Sequence, residues 1–118
     1  AKPLAYLLLA DPPHTRHVID RVPWRIGRGK NCDLVLNDQS VSRLHAEIRQ
    51  TESGTLVLHD LESLNGVFIN DNRVQTAPLR EGGAVDIGDI GLTYTLRDEN
   101  HAKLDATVVV RTRMPAAK

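Results

Sequence analysis

Short apolar runs broken by turn residues set the rhythm of this chain. Residues 4–10, 15–19, 22–26, 33–36, 45–49, 55–60, 67–69, 73–74, 84–87 and 91–96 each read as a strand, and 55–60 is the clearest of them. Between them stand Asp11-Pro12-Pro13, Gly27, Asn37-Asp38, Thr51-Glu52-Ser53-Gly54, Asn70-Asp71-Asn72 and Glu81-Gly82-Gly83. These residue types tolerate or impose the backbone angles of tight turns. No stretch has the 3.6-residue period of an amphipathic helix. About ten or eleven short strands at regular spacing predict an all-β fold, a two-sheet β-sandwich of mostly antiparallel strands with functional loops at one end. From Arg97 the rhythm fades, and only residues 107–110 form one more β-branched run. The expected organisation is therefore a domain over residues 1–97 and a tail or linker over 98–118.

Composition narrows this picture. A chain of 118 residues with 41% hydrophobic positions can bury a core without disulfide or metal staples. Aromatics make up only 3%, so Leu, Val and Ile must fill that core. Fifteen Lys and Arg balance fifteen Asp and Glu. That balance argues against bulk attraction to nucleic acid or an anionic membrane, which needs a net or clustered positive field. Cys32, the single cysteine, excludes an internal disulfide and a cysteine-based zinc site, and it fits a reducing, cytoplasmic compartment. It reads as a small filler beside a strand. No apolar run reaches membrane-spanning length, and the N-terminus lacks a signal-peptide pattern. The chain starts without Met and ends in a polar tail, which suits a piece of something longer.

Three turn clusters hold the candidate chemistry. Gly27-Arg28 joins a glycine free of side-chain obstruction to a planar guanidinium fork suited to phosphate or carboxylate. Ser42-Arg43-Leu44-His45 supplies a hydroxyl, a second guanidinium and a histidine opening the next strand. Ser63-Leu64-Asn65-Gly66 adds another hydroxyl and an amide with both donor and acceptor groups, on a strong Asn-Gly turn signal. Each cluster alone means only a surface arginine, a structural histidine or a turn. Brought to one end of a sandwich, they form an inventory suited to a phosphate attached to a peptide.

Two rival readings are weaker. Ser42, His45 and Asp60 contain the residue types of a hydrolase triad, but no strained Gly-x-Ser-x-Gly elbow is present. Gly27 and Gly29 lack the Lys-Ser/Thr ending of a P-loop. Histidines 14, 17, 45, 59 and 101 are scattered, so no metal site is expected. A nucleic-acid-binding β domain needs aromatic platforms or a broad basic face. One Trp, one Phe and two Tyr on a neutral chain provide neither.

The order Gly-Arg, Ser-x-x-His, Asn-Gly, with these strands between, resembles the forkhead-associated (FHA) domain, a family of phosphothreonine-peptide readers. The resemblance covers about residues 4–97 and runs through RIGRGKNCDLVLNDQSVSRLHAEI and HDLESLNGVFIN, including the Asp33 strand, the Asp38 turn and Asn70. It implies that Arg28 and Ser42 bind the phosphate directly, with Arg43 and Ser63 adding to the pocket. It implies that Asn65 holds the ligand main chain on the C-terminal side of the phosphothreonine, while Gly27, His45 and Gly66 brace the loops. The implied function is a non-enzymatic, cofactor-free binder of threonine-phosphorylated protein or peptide in Ser/Thr kinase signalling. A further expectation concerns Thr107, which stands three residues before Val110 and two after Asp105. Once phosphorylated it would be a ligand for this pocket or a neighbour's; the plainer reading is a linker or an added edge strand.

Overall fold

The computed structural model describes residues 3–97. The expected tail, with Thr107, lies outside the described residues. Eleven strands follow one another without a helix among the described residues: β1 (Ala5–Leu9), β2 (Arg16–Ile19), β3 (Trp24–Gly27), β4 (Leu34–Val35), β5 (Ala46–Gln50), β6 (Leu56–Asp60), β7 (Val67–Ile69), β8 (Asn72–Val74), β9 (Thr76–Pro78), β10 (Ala84–Ile87) and β11 (Ile90–Thr95). They form a six-stranded sheet in the order β2-β1-β11-β10-β7-β8 and a five-stranded sheet in the order β4-β3-β5-β6-β9.

Alternation decides which face each strand buries. Leu56, Leu58 and Asp60 of β6 point inward, as do Trp24 and Ile26 of β3, Val85 and Ile87 of β10, and Leu92 and Tyr94 of β11. These side chains join Leu7, Ile19 and Ile48 in one aliphatic core between the sheets. The lone Trp24 is part of it. Branched aliphatics thus fill the space that the sparse aromatics leave.

Pairing is antiparallel except where β4 lies parallel to β3, with Ile26 opposite Leu34. A parallel neighbour normally needs a long crossover. Here β4 is only two residues long, so the excursion over 28–33 suffices. In the five-stranded sheet, β3, β5 and β6 run antiparallel, with Ile26 opposite Ala46 and Ala46 opposite Asp60. The end of β3, the start of β5 and the end of β6 therefore lie at one end of the sandwich. The start of β7 and the end of β10 meet there too, Val67 pairing with Ile87.

The strand that the pattern does not announce is β9. Residues 75–80 have no clean alternation, and Pro78 lacks a backbone donor, which confines it to edge positions. It forms because the chain changes sheets at Gln75. This residue accepts from Asp60 N–H at 2.8 Å and donates its side-chain amide to Asp60 O at 2.9 Å. Ala77 then pairs with Leu58. The turn between β7 and β8 is as expected: Asn70 and Asp71 have φ of 50° and 71°, the paired positive values of a type I′ hairpin. Among the described residues no helix is long and apolar enough to cross a membrane.

Candidate functional site

Three loops meet at the end of the sandwich just defined. The first follows β3, the second precedes β5 and the third links β6 to β7. Arg28 N–H donates to Ser42 O and Gly29 N–H to Arg43 O, each at 3.0 Å, tying the first loop to the second. Gly27 makes this approach possible, because a Cβ there would stand 2.2 Å from the Arg43 carbonyl oxygen. The Arg28 side chain is anchored through Nε, which donates to Val41 O at 2.9 Å. Val41 is itself buried in the core. The remaining guanidinium nitrogens of Arg28 and the side chain of Arg43 are exposed, with no carboxylate partner among the described residues.

His45 joins the second loop to the third. Its ring is fully buried, a place where an imidazole must have both nitrogens satisfied. Nδ1 accepts from Ser42 N–H at 3.0 Å, so Nε2 carries the ring proton and donates to Gly66 O at 2.8 Å. Gly66 has φ of 83°, open to glycine at little cost. The Arg73 guanidinium lies where a Cβ on Gly66 would stand, 2.6 Å from Nε. Ser42 Oγ accepts from Leu64 N–H at 3.1 Å, which leaves its hydroxyl proton for an outside acceptor. Asn65 is exposed and donates Nδ2 to Ser40 O at 2.8 Å. Ser63 is buried instead, its Oγ accepting from Gly66 N–H at 2.9 Å.

Arg28, Ser42, Arg43, Asn65, Gly27, His45 and Gly66 are thus brought to one loop cluster, and Ser63 lies beneath its surface. Ser42, His45 and Asp60 do not form a nucleophile–base–acid chain. The histidine binds the serine backbone rather than its hydroxyl. Asp60 instead accepts from Ser63 N–H at 2.9 Å. No group of three or more His, Cys, Asp or Glu among the described residues is disposed to hold a metal ion.

Sequence reasoning leaves some of this framework out. Asp38 accepts from both the backbone and the hydroxyl of Ser40, and those bonds, the hydroxyl first, hold its carboxyl below the usual range. The Asp-x-Ser spacing of an Asx turn is a legible signal for that pair. Ser40 Oγ also accepts from Asp89 N–H at 2.8 Å, and a Cβ on Gly88 would stand 2.5 Å from Ser40 O. Gly88-Asp89 reads locally as a two-residue hairpin turn, but nothing local announces its contact with Ser40, because it comes from the opposite sheet.

The surroundings are basic. A cleft of about 620 Å³ opens beside the first loop, with Arg25, Arg28, Lys30 and Arg43 among its lining and no Asp or Glu. Behind it Glu47 accepts from Arg25 Nε at 3.1 Å and from Arg49 Nε at 2.6 Å. Desolvation pushes the Glu47 carboxyl upward, but the Arg49 and Arg25 bonds outweigh it and hold the group below its ordinary value. Asp33 behaves likewise. Its partial burial is outweighed by the Arg25 backbone N–H at 2.8 Å and the Arg21 guanidinium at 2.6 Å.

Comparison with known proteins agrees with this geometry. The family model described as FHA domain matches residues 24–88, which span all three loops. The glycogen accumulation regulator GarA of Mycolicibacterium smegmatis is 38% identical over 80 residues, covering 68% of this chain and 50% of its own length. The chain spans about half the length of the GarA proteins it matches. Mycobacterium tuberculosis EmbR, solved in complex with a low-affinity phosphopeptide, superposes with a TM-score of 0.73 at 31% identity. That match covers 78% of this chain and 24% of EmbR. The FhaA FHA domain, solved with the intracellular domain of Rv3910, gives 0.70 at 31% identity and covers 76% and 98%. The chain belongs to the forkhead-associated domain family, whose members are phosphothreonine-reading binding modules.

Proposed function

We propose that the three-loop cluster binds one phosphothreonine of a partner protein through Arg28, Ser42 and Arg43. The observation that carries this is the way each donor is fixed by the fold yet left with free capacity. Arg28 is held through Nε and keeps its other nitrogens for a phosphate fork; Ser42 is held through Oγ and keeps its proton. A phosphate with about −1.5 to −2 charges is well matched to fixed cationic donors of this kind. Ser63 contributes its remaining hydroxyl proton from beneath, and Asn65, held through Nδ2, offers Oδ1 to a ligand backbone N–H. His45, Gly27 and Gly66 brace the loops without touching phosphate.

The domain acts by binding and not by catalysis, a reading supported by the bonding of Ser42 and His45, which leaves no activated nucleophile. It works in Ser/Thr kinase signalling in the cytoplasm, where kinases and their phosphorylated targets meet. Residues 1–97 are the binding unit and 98–118 a tail. Thr107 in that tail is a candidate ligand once phosphorylated, and a synthetic phosphopeptide spanning 102–113 that fails to bind would dismiss it. The central test is an oriented phosphothreonine-peptide library presented to wild type and Arg28→Ala. Wild type should select phosphorylated over unphosphorylated sequences, and Arg28→Ala should lose about 100-fold or more in affinity, as expected for a charge-assisted bond left unmade. Equal signal from both proteins would refute the mechanism.

A further inference from the structure

We propose that the cleft beside the first loop is a second anion subsite, in which Lys30 and Arg25 take a carboxylate or a second phosphate of the ligand peptide, N-terminal to its phosphothreonine. The inference rests on the phosphothreonine reading and adds to it a class of ligand.

Charge carries the first part of the argument. Four cations line the cleft without an acid among its lining, on a chain whose formal charge is zero. A single phosphate of about −1.5 to −2 is balanced by two of them, Arg28 and Arg43. Lys30 is then in excess, with Arg25 beside it only partly compensated by Glu47. Lys30 is exposed and has no carboxylate partner among the described residues. Arg25 shares Glu47 with Arg49 and stands beside the Arg21–Asp33 pair, so three guanidinium groups oppose two carboxylates and the group stays positive. A cationic concavity of this kind raises the local concentration of anionic groups.

Placement carries the second part. The third loop holds the second loop through Ser40 O and Ser42 Oγ. The first loop holds it through the carbonyls of Ser42 and Arg43. Asn65 and Lys30 thus lie on opposite sides of the second loop, with Arg28 and Ser42 between them. With Asn65 on the C-terminal side of the phosphothreonine, as the proposed function has it, the N-terminal flank of the ligand is directed toward the first loop and the cleft lined by Lys30. An extended peptide advances about 3.3 Å per residue, so the flank to vary is the stretch immediately before the phosphothreonine.

The test uses the 118-residue chain and three sets of phosphothreonine peptides, with alanine, glutamate or phosphoserine in that flank. Affinities are read by calorimetry or fluorescence anisotropy at low and high salt. An acidic flank should tighten binding by about 3- to 10-fold at low salt, with the gain shrinking at high salt, as exposed charge pairs do. A gain with both acidic sets assigns a general anion subsite, and a gain with phosphoserine alone assigns a second phosphate. Lys30→Ala and Lys30→Glu should abolish the ratio of acidic-flank to alanine-flank affinity, and Lys30→Arg should keep it. The inference is overturned if wild type binds all three sets equally, or if the ratio survives in both Lys30→Ala and Lys30→Glu. If no set is preferred over its unphosphorylated counterpart, the phosphothreonine reading itself fails and the subsite with it.

Discussion

The two ends of the sandwich use the same residue types in opposite ways. At the site end, Gly27 and Gly88 lie so close to the second loop that an added Cβ would collide with backbone carbonyls at 2.2 and 2.5 Å. At the far end, Gly54 and Gly82 have nothing within 4 Å of the same position. The bonding differs in the same sense. The turn before β6 closes on itself, Thr51 N–H donating to Thr55 O and Gly54 N–H to Thr51 O. The site loops close on one another: His45 to Gly66, Leu64 to Ser42 and Asn65 to Ser40 lie 21 to 25 residues apart in sequence. Glycine at the far end serves a local turn angle, while at the site end it also serves the approach of another loop. Preorganisation of the donors comes from this long-range mutual bracing, because a donor already fixed loses less entropy on binding.

The largest break in that contrast should come from His45→Ala. It removes a buried ring and orphans Ser42 N–H and Gly66 O, which together should cost about 3–4 kcal/mol. Urea unfolding should show that loss, and any protein still folded should bind phosphopeptide more than about tenfold less tightly. Next comes Gly27→Ala, whose Cβ must push back the Arg43 carbonyl at about 2 kcal/mol, with weakened binding alongside. The partner experiment is Gly54→Ala. Its φ of 94° makes alanine strained by about 1 kcal/mol, but the space is open, so phosphopeptide affinity should not change. If Gly54→Ala weakens binding as much as Gly27→Ala, the two ends are not distinct in the way described.

The smallest effect is acidic pH. Asp33 and Glu47 are held below the usual carboxylate range in the fold by the arginines around them. Their stabilisation is therefore complete above the unfolded value of about 4 and is lost as pH falls through the lower folded values. Thermal unfolding should show wild type losing stability below about pH 4, and Asp33→Asn should have a shallower slope in that window. A slope unaltered by Asp33→Asn would detach the arginine–carboxylate frame from the acid response.

How much of this was legible beforehand differs by element. Residues 55–60 announce β6 because alternation is a local property, and Asn70-Asp71 announce a hairpin because a type I′ turn asks for residues that tolerate positive φ. The span 75–80 announces nothing, and the Gly88-Asp89 turn does not announce its contact with another loop. The first pairs only because β6 has a free edge beside it, and the second matters only because the opposite sheet carries Ser40 beneath it. Arg28, Ser42 and Asn65 stood out through their order along the chain. Their free and occupied donors did not, since those depend on partners such as Val41 O and Leu64 N–H.

The sequence by itself therefore determined the all-β sandwich, its turns and the identity of the loop residues, because alternation, turn preference and motif order are short-range properties. The tertiary structure alone decided that His45 braces by joining Ser42 N–H to Gly66 O with its proton on Nε2, that Ser63 lies beneath the site and that Lys30 lines a cleft with three arginines. Each of those depends on which residue from another loop arrives within about 3 Å, the reach of a hydrogen bond, and no local pattern specifies that arrival.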